Sequence, residues 1–261
     1  IVWNPREGLI DFPVDLPCGK CIECRLQVAK QDAIRCIHEA SLYEENYFLT
    51  LTYNNQHLPK DNSINVDDVQ KFMKRLRRRL PNGVRSFGSG EYGDLNSRPH
   101  YHILLFNCPI GGSLEPWKKI RGHDYFISQI VGDAWKDAYG SSIGYHSITD
   151  LTFETAGYTA RYVTKKFTNK CQERVREHYA WTDDDTQTTY FREPERKIAL
   201  SKGIGKGWYK KWKNDVYPAD EVIIRGKAMK PPRYYDYLLD LDDTKKADKV
   251  KLHRRLKAKE C

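Results

Sequence analysis

Apolar positions recur with helical spacing from Arg25 to about Tyr43, at Leu26, Val28, Ala29, Ala33, Ile34 and Ile37, which predicts an amphipathic helix. From Tyr47 to Tyr53 the period drops to two. Aromatic and aliphatic residues alternate with threonine until Asn54-Asn55 ends the run, a strand pattern. Helical spacing returns at Val69, Phe72, Met73, Leu76 and Leu80, with Asn65 or Asp67 as cap and Pro81-Asn82-Gly83 as stop. Two strands follow, Val84 to Tyr92 and His100 to Phe106, joined by the turn-like stretch Gly93 to Pro99. The pattern then predicts a helix from Ile127 to Tyr139 closed by Gly140, a strand from Ile143 to Ile148 and a helix from Phe153 to Phe167. Strands that succeed one another without a helix between them indicate an antiparallel or mixed sheet, so the predicted class is α+β.

The remaining stretches divide the chain into four regions. Residues 1–24 are rich in Pro, Gly and Cys and read as an irregular N-terminal arm; 25–170 form the core. Residues 171–190 are polar and charged, an excursion or small insertion. Residues 191–261 are an aromatic and basic extension packed on or beside the core. Within it Gly203, Gly205 and Gly207 introduce a short helix bearing Trp208, Tyr209 and Trp212. Pro231-Pro232 then precedes Tyr234, Tyr235, Tyr237 and a basic C-terminal helix.

Charge sharpens this picture. Lysine and arginine number 44 against 35 acidic residues, a formal net charge of +9. The excess is clustered: Lys71, Lys74, Arg75, Arg77, Arg78 and Arg79 crowd one predicted helix, and Lys245 to Lys259 forms a basic tail. Aromatic Trp208 and Trp212 beside Lys206, Lys210, Lys211 and Lys213 read equally as core tryptophans under a solvated basic face and as a second candidate surface for nucleic acid, where bases stack while cations track phosphates. A hydrophobic content of 39% supports a core and excludes disorder over most of the chain. No apolar run reaches membrane-spanning length and no secretory signal pattern opens the sequence, which predicts no membrane partner and a reducing cytoplasm.

The sharpest local signal is Arg98-Pro99-His100-Tyr101-His102-Ile103-Leu104-Leu105-Phe106. In a strand, His100 and His102 share a face with Cα atoms about 6.5–7 Å apart, close enough for two imidazoles to converge on one ion. Alone, a His-x-His pair reads equally as two hydrogen-bonded histidines at a strand mouth. Glu91 tips the balance, because an antiparallel pairing of the two strands brings it alongside them. Two imidazoles and one carboxylate with open positions suit a divalent ion that also binds a phosphate oxygen, such as Mg or Mn.

Tyr158 and Tyr162 are four residues apart on a predicted helix and share a face, and Lys165 continues their stripe. Taken alone this is helix packing. Beside a metal-bound phosphate it becomes a nucleophile array, with tyrosine hydroxyls to attack and an ammonium to stabilise developing negative charge. A phosphotyrosine ester retains the energy of the phosphodiester it replaces, so rejoining needs no nucleotide. No P-loop pattern is present.

Phe48-Leu49-Thr50-Leu51-Thr52-Tyr53, the histidine strand and Tyr162-Val163-Thr164-Lys165 fall in the order of the three motifs of rolling-circle HUH endonucleases. Pro17-Cys18-Gly19-Lys20-Cys21, Arg98 to His102 and Pro231-Pro232-Arg233-Tyr234-Tyr235 resemble replication initiators of gokushovirus-type microviruses, small single-stranded-DNA phages. The likeness runs from about Cys18 to Tyr237. It implies a five-stranded antiparallel sheet flanked by helices, with the histidines on its central strand. It also implies His100, His102 and Glu91 as metal ligands, Tyr162 as nucleophile with Lys165, and Tyr158 as second nucleophile. The implied activity is nicking and religation of single-stranded DNA at an origin, in the cytoplasm of a bacterial host, beside the host helicase and polymerase. Tyr101, between the histidines, is bulkier than the family's hydrophobic residue there.

Three of the seven cysteines fall at Cys18-x2-Cys21-x2-Cys24. Structural zinc takes four ligands, and only one Cys-x2-Cys arm with an added cysteine is present; a cysteine upstream of Ile1 would complete the set. Free thiols packing the arm are the alternative. A zinc-containing, non-catalytic DNA-binding module and a relaxase- or transposase-like nuclease are accordingly the rival functions.

Overall fold

Alternating threonine with larger apolar residues makes β1 (Asn46–Tyr53) two-faced: Leu49, Leu51 and Tyr53 are buried, while Phe48, Thr50 and Thr52 on the other side are half-buried. The computed structural model describes residues 17–81, 83–94, 96–120, 122–167 and 171–257, with backbone alone at 162–165. Around β1 run α1 (Ile22–Ala40), α2 (Val66–Arg79), β2 (Arg85–Tyr92), β3 (Pro99–Phe106), β4 (Leu114–Ile120), β5 (His123–Ser128), α3 (Gln129–Ala134), β6 (Gly144–Asp150) and α4 (Phe153–Lys165). Then come α5 (Gln172–Tyr179), β7 (Ala180–Thr182), β8 (Thr189–Phe191), β9 (Arg196–Ile198), α6 (Lys206–Ala219), β10 (Val222–Ile224), β11 (Lys227–Met229), α7 (Arg233–Asp242) and α8 (Thr244–Lys257).

The α+β class and the antiparallel sheet agree with the pattern, but the sheet is larger than the resemblance implies. Among the described residues it has seven strands, not five, in the order β4-β5-β6-β1-β3-β2-β9. At one edge stands the β4–β5 hairpin, where the sequence predicts only the start of a helix at Ile127. Tyr125-Phe126-Ile127 is a run of aromatic and β-branched residues that suits a pleated surface, so the helix is confined to 129–134. A register shift between Pro116 and Lys118 breaks the alternation that would have revealed β4. At the other edge, three residues of β9 pair with Gly88, Ser89 and Gly90 of β2. The middle strand is therefore β1, and β3 with its histidines lies beside it, between β1 and β2. The polar stretch after Cys171 holds α5 and the β7–β8 hairpin.

Helices cover the sheet unevenly. On one face α2 and α3 bury Val69, Phe72, Leu76, Val131 and Trp135 against Leu49, Leu51, Tyr101, Ile103 and Ile148. Each such fully buried large side chain contributes roughly 1.5–3 kcal/mol. Asn65 caps α2 by accepting from the Asp67 and Asp68 N–H groups. On the other face α1 and α4 sit over β2 and β3, where Ala29 and Ala33 join Ala156 and Ala160 with Phe87, Leu104 and Phe106 in a second cluster. Four alanines in this seam let the two helices lie close. A third cluster gathers α6, α7, α8 and β10 against Ile34 of α1, around Tyr209 and Tyr235.

The bulk of Tyr101 has a structural reason. Its ring lies across Gly90, where a Cβ would come within 3.3 Å of it. Its hydroxyl is 2.9 Å from Tyr53 Oη, donates to Asn65 O and accepts from Asn65 N. It thereby ties β3 to the start of α2. At β6, Gly144 passes so close to β1 that a Cβ would clash with the Thr52 carbonyl.

Candidate metal centre and tyrosine helix

The β2–β3 hairpin alone assembles the cluster. Gly93 N donates to Arg98 O at 3.0 Å and Ser97 N to Gly93 O at 2.9 Å, closing the turn. The resulting register sets Glu91 opposite His100 and Ser89 opposite His102. Glu91 and the two histidines therefore project from one face, as strand alternation predicts. Glu91 Oε1 lies 2.7 Å from Nε2 of both His100 and His102, and the three ligand atoms all fall within 4.8 Å of one another.

The opposite ring nitrogens fix the orientation. His100 Nδ1 is 3.2 Å from Arg98 O, a carbonyl that only accepts, so Nδ1 carries the proton. Its Nε2 faces Glu91 Oε1 across a hydrogen bond, so a cation bound at this point would displace the proton held between them. His102 Nδ1 is 3.1 Å from Thr50 Oγ1, and its ring stacks on Phe48 with centroids 5.2 Å apart. Burial pushes the Glu91 carboxyl up, but hydrogen bonds to His100 and His102 outweigh it and hold it below the usual carboxylate value. The carboxylate is thus ionised at neutral pH. Two oriented imidazoles and one buried carboxylate are a donor set for a divalent cation.

Tyr158 stands over this cluster from α4, its ring 5.1 Å from that of His102 and 6.2 Å from Phe48. It remains 38% exposed, so a substrate in solvent can reach it. Tyr162 and Lys165 lie one and nearly two turns further along α4; their side chains are outside the described residues. Helical spacing puts the Tyr162 Cα on the same stripe.

The predicted nucleic-acid surfaces divide. The basic helix α2 packs on the face of the sheet opposite the histidines. Two of its six cations are spent internally: Arg75 bonds the Ala134 and Lys136 carbonyls, and Arg77 bonds Val84 O and Ser86 Oγ. Trp208 is half-buried and stacked on His38 with centroids 3.5 Å apart, so one of its faces is taken, whereas Trp212 is exposed. Pattern reading missed a different surface. On the histidine face, among the described residues, α1 and α4 pack on β2 and β3 rather than on β6, β5 and β4. The half beyond these helices carries Thr50, Thr52, Tyr145, Ser147, Thr149, Tyr125 and Lys118, with Tyr145 67% exposed. Trp117 projects from the bulge with Lys118 Nζ 3.7 Å above its ring. A cleft of about 720 Å³ beside His100 is lined by Thr52, Asn54, Asn96, Arg98 and Tyr145, among others. Alternation in β6 was the available signal; the hairpin had none.

Cys18, Cys21 and Cys24 also converge, with their sulfurs within 4.8 Å of one another. Backbone N–H groups of Cys21 and Lys20 donate to Cys18 Sγ and hold that thiol down to about 7. The Cys24 backbone N–H pulls Cys21 down, but side-chain hydrogen bonds with Cys24, Cys18 and Glu23 push it up to about 11. Among the described residues no helix is long and apolar enough to cross a membrane.

An antiparallel α+β sheet with a two-histidine, one-carboxylate cluster beneath a tyrosine-bearing helix defines the class of protein. Residues 46–167, which include every member of that cluster, match the family model of the ORF2-type replication-associated protein. The chain is 31% identical over 228 residues to replication-associated protein VP4 of Bdellovibrio phage phiMH2K and 33% identical over 235 residues to replication-associated protein ORF2 of Spiroplasma virus 4. It is 31% identical over 236 residues to replication-associated protein ORF4 of Chlamydia phage 1. These alignments take in 84%, 85% and 87% of this chain. They span 65%, 66% and 54% of those proteins' own lengths, so the chain covers under two thirds of each. Over these spans the chain is similar to phage replication-associated proteins. No solved structure matches it significantly.

Proposed function

We propose that this chain is a metal-dependent, site-specific single-stranded DNA endonuclease and religase that starts and ends rolling-circle replication through a 5′-phosphotyrosine link. The observation that carries the reading is the convergence of Glu91, His100 and His102 on one point, with Tyr158 over the same spot. Similarity to phage replication-associated proteins supports the replicative role.

His100, His102 and Glu91 would hold the cation, Mg or Mn. When bound it withdraws charge from a phosphate oxygen and so makes phosphorus a better electrophile. The chain's own groups do the rest. A tyrosine Oη forms the new P–O bond, the P–O3′ bond breaks, the phenolic proton leaves and the 3′ oxygen leaves as a 3′-OH. A phenol of pKa near 10 is a weak nucleophile, and Lys165 is assigned the task of stabilising its anionic form. Tyr162 is assigned the first attack and Tyr158 the second, which cuts the regenerated origin so that the freed 3′-OH can resolve the first link into a circle. The half of the sheet beyond these helices, from Tyr145 to Lys118, is the path assigned to the single strand, and the 3′-OH is the primer for a host polymerase.

The test is a labelled origin oligonucleotide incubated with protein and Mn²⁺, then run on a denaturing gel. A covalent protein–DNA band with a matching 3′-OH fragment is expected. Retained binding with neither band nor cleavage would leave a non-catalytic DNA-binding module.

A further inference from the structure

Apart from the Glu91 cluster, Cys18, Cys21 and Cys24 are the donor group among the described residues close enough to share an ion. The chain turns sharply through Gly19 at φ +72°, and Cys21 is the N-cap of α1, with no side-chain cap bond of its own. This turn aims two backbone N–H groups, of Lys20 at 3.4 Å and Cys21 at 3.2 Å, at one sulfur. A neutral thiol is a weak acceptor, so paired donors on Cys18 Sγ suit a thiolate. Three thiolates in mutual reach repel unless a cation lies between them, and soft sulfur ligands select zinc over the hard cations suited to carboxylates. Cys18 and Cys24 sulfurs stand 3.9 Å apart with no disulfide between them, and joining them would leave Cys21 alone.

The site has a mechanical neighbour. Arg25, directly after Cys24 and one turn after Cys21, donates from Nη1 to Lys166 O at 2.6 Å, the carbonyl that ends the tyrosine helix α4. Around it, Ile22, Leu26 and Val28 are exposed, so apolar packing holds the start of α1 only weakly. We infer that Cys18, Cys21 and Cys24 bind one zinc ion as thiolates, and that this knuckle fastens the start of α1 to the end of α4. The fourth corner of the tetrahedron falls to solvent. Only the consequence for nicking rests on the function proposed above.

Metal content of protein purified under reducing conditions without chelator tests the site. One zinc per chain is expected, kept by the His100→Ala/His102→Ala variant and lost by Cys18→Ser/Cys21→Ser. Cobalt in its place should give a thiolate charge-transfer band. A zinc-free wild type, zinc kept by the cysteine variant, or a Cys18–Cys24 disulfide in the reduced protein would overturn the assignment. For the coupling, zinc is stripped from wild type and amide hydrogen exchange is followed. Faster exchange at 22–28 and at 163–167 is expected, with covalent adduct formation slowed at least ~10-fold in Mn²⁺. Unchanged exchange at 163–167 would overturn the coupling, whether or not the protein nicks DNA.

Discussion

Tyr158 and His102 meet edge to face, ring centroids 5.1 Å apart and planes at 82°, although one stands on α4 and the other on β3 in the layer beneath. The contact places a phenol at the rim of the Glu91 cluster without closing it off. Tyr162, one turn on, has its backbone on the same stripe.

Both tyrosines are therefore expected to take up DNA. Tyr162→Phe should slow the first cleavage by at least ~10²-fold, the scale at which loss of a positioned reacting group is felt. Tyr158→Phe should still nick but fail to release circles over repeated rounds. Tandem mass spectrometry of trapped adducts reads this directly. Adducts confined to Tyr162 in wild type, with none in Tyr162→Phe, would reduce Tyr158 to a packing residue.

Removing the donors should separate chemistry from binding. His100→Ala/His102→Ala is expected to lose nicking while holding single-stranded DNA within a few-fold of wild type, since affinity comes from cations and stacking. Thr50→Val, which strips the partner from His102 Nδ1, should weaken Mn²⁺ binding by about 10–100-fold, the usual effect of such outer partners. Normal cleavage by the double variant in metal-depleted buffer would refute the metal assignment.

The half of the histidine face beyond α1 and α4 yields a binding prediction. Tyr145→Ala should cost ~1–3 kcal/mol of oligonucleotide affinity, the worth of one stacked base. Lys118→Ala should flatten the salt dependence of binding by about 0.7 in log–log slope, the value for one phosphate contact on a single strand. Variants of Lys71 and Lys74, on the opposite face, should leave affinity for a short origin strand unchanged.

What the sequence makes legible is what is local. Period two from Tyr47 to Tyr53 and the His-x-His repeat dictate strands, and the eight residues between Glu91 and His100 suffice for a hairpin. The triad follows from adjacent strands alone. The β4–β5 hairpin was not legible, because a bulge at Pro116–Lys118 erases its alternation and its outer strand buries almost nothing. The inward bonds of Arg75 and Arg77 were hidden for another reason: a helical wheel gives direction, not the carbonyls waiting there. That one face of Trp208 is taken by His38 of α1 is likewise a long-range contact the pattern does not carry.

His38 gives a pH prediction. Burial lowers it from the ordinary 6.5 to about 4, and it keeps its neutral ring 2.8 Å from the Tyr235 hydroxyl. Between those values the unfolded chain binds the proton and the folded chain does not. Stability should therefore be full above about pH 6.5 and fall as pH drops towards 4, by up to a few kcal/mol. His38→Phe should flatten the melting temperature against pH across that window. An unchanged slope would show that other groups govern acid sensitivity.

Methyl groups set how high α4 rides above the sheet, since Ala29, Ala33, Ala156 and Ala160 share one buried cluster with Phe87 and Leu104. A larger residue in that seam acts as a shim. Ala160→Leu should lift the phenols off the cluster by about an ångström, leave every ligand atom in place, and cost ~1–3 kcal/mol in stability. Metal and DNA would bind as before while strand transfer slowed ~10²-fold. In the proposed reaction the reach of the nucleophile is thus a property of two helices that bear no ligand of the cation, and it can drift independently of the donors that would hold that cation.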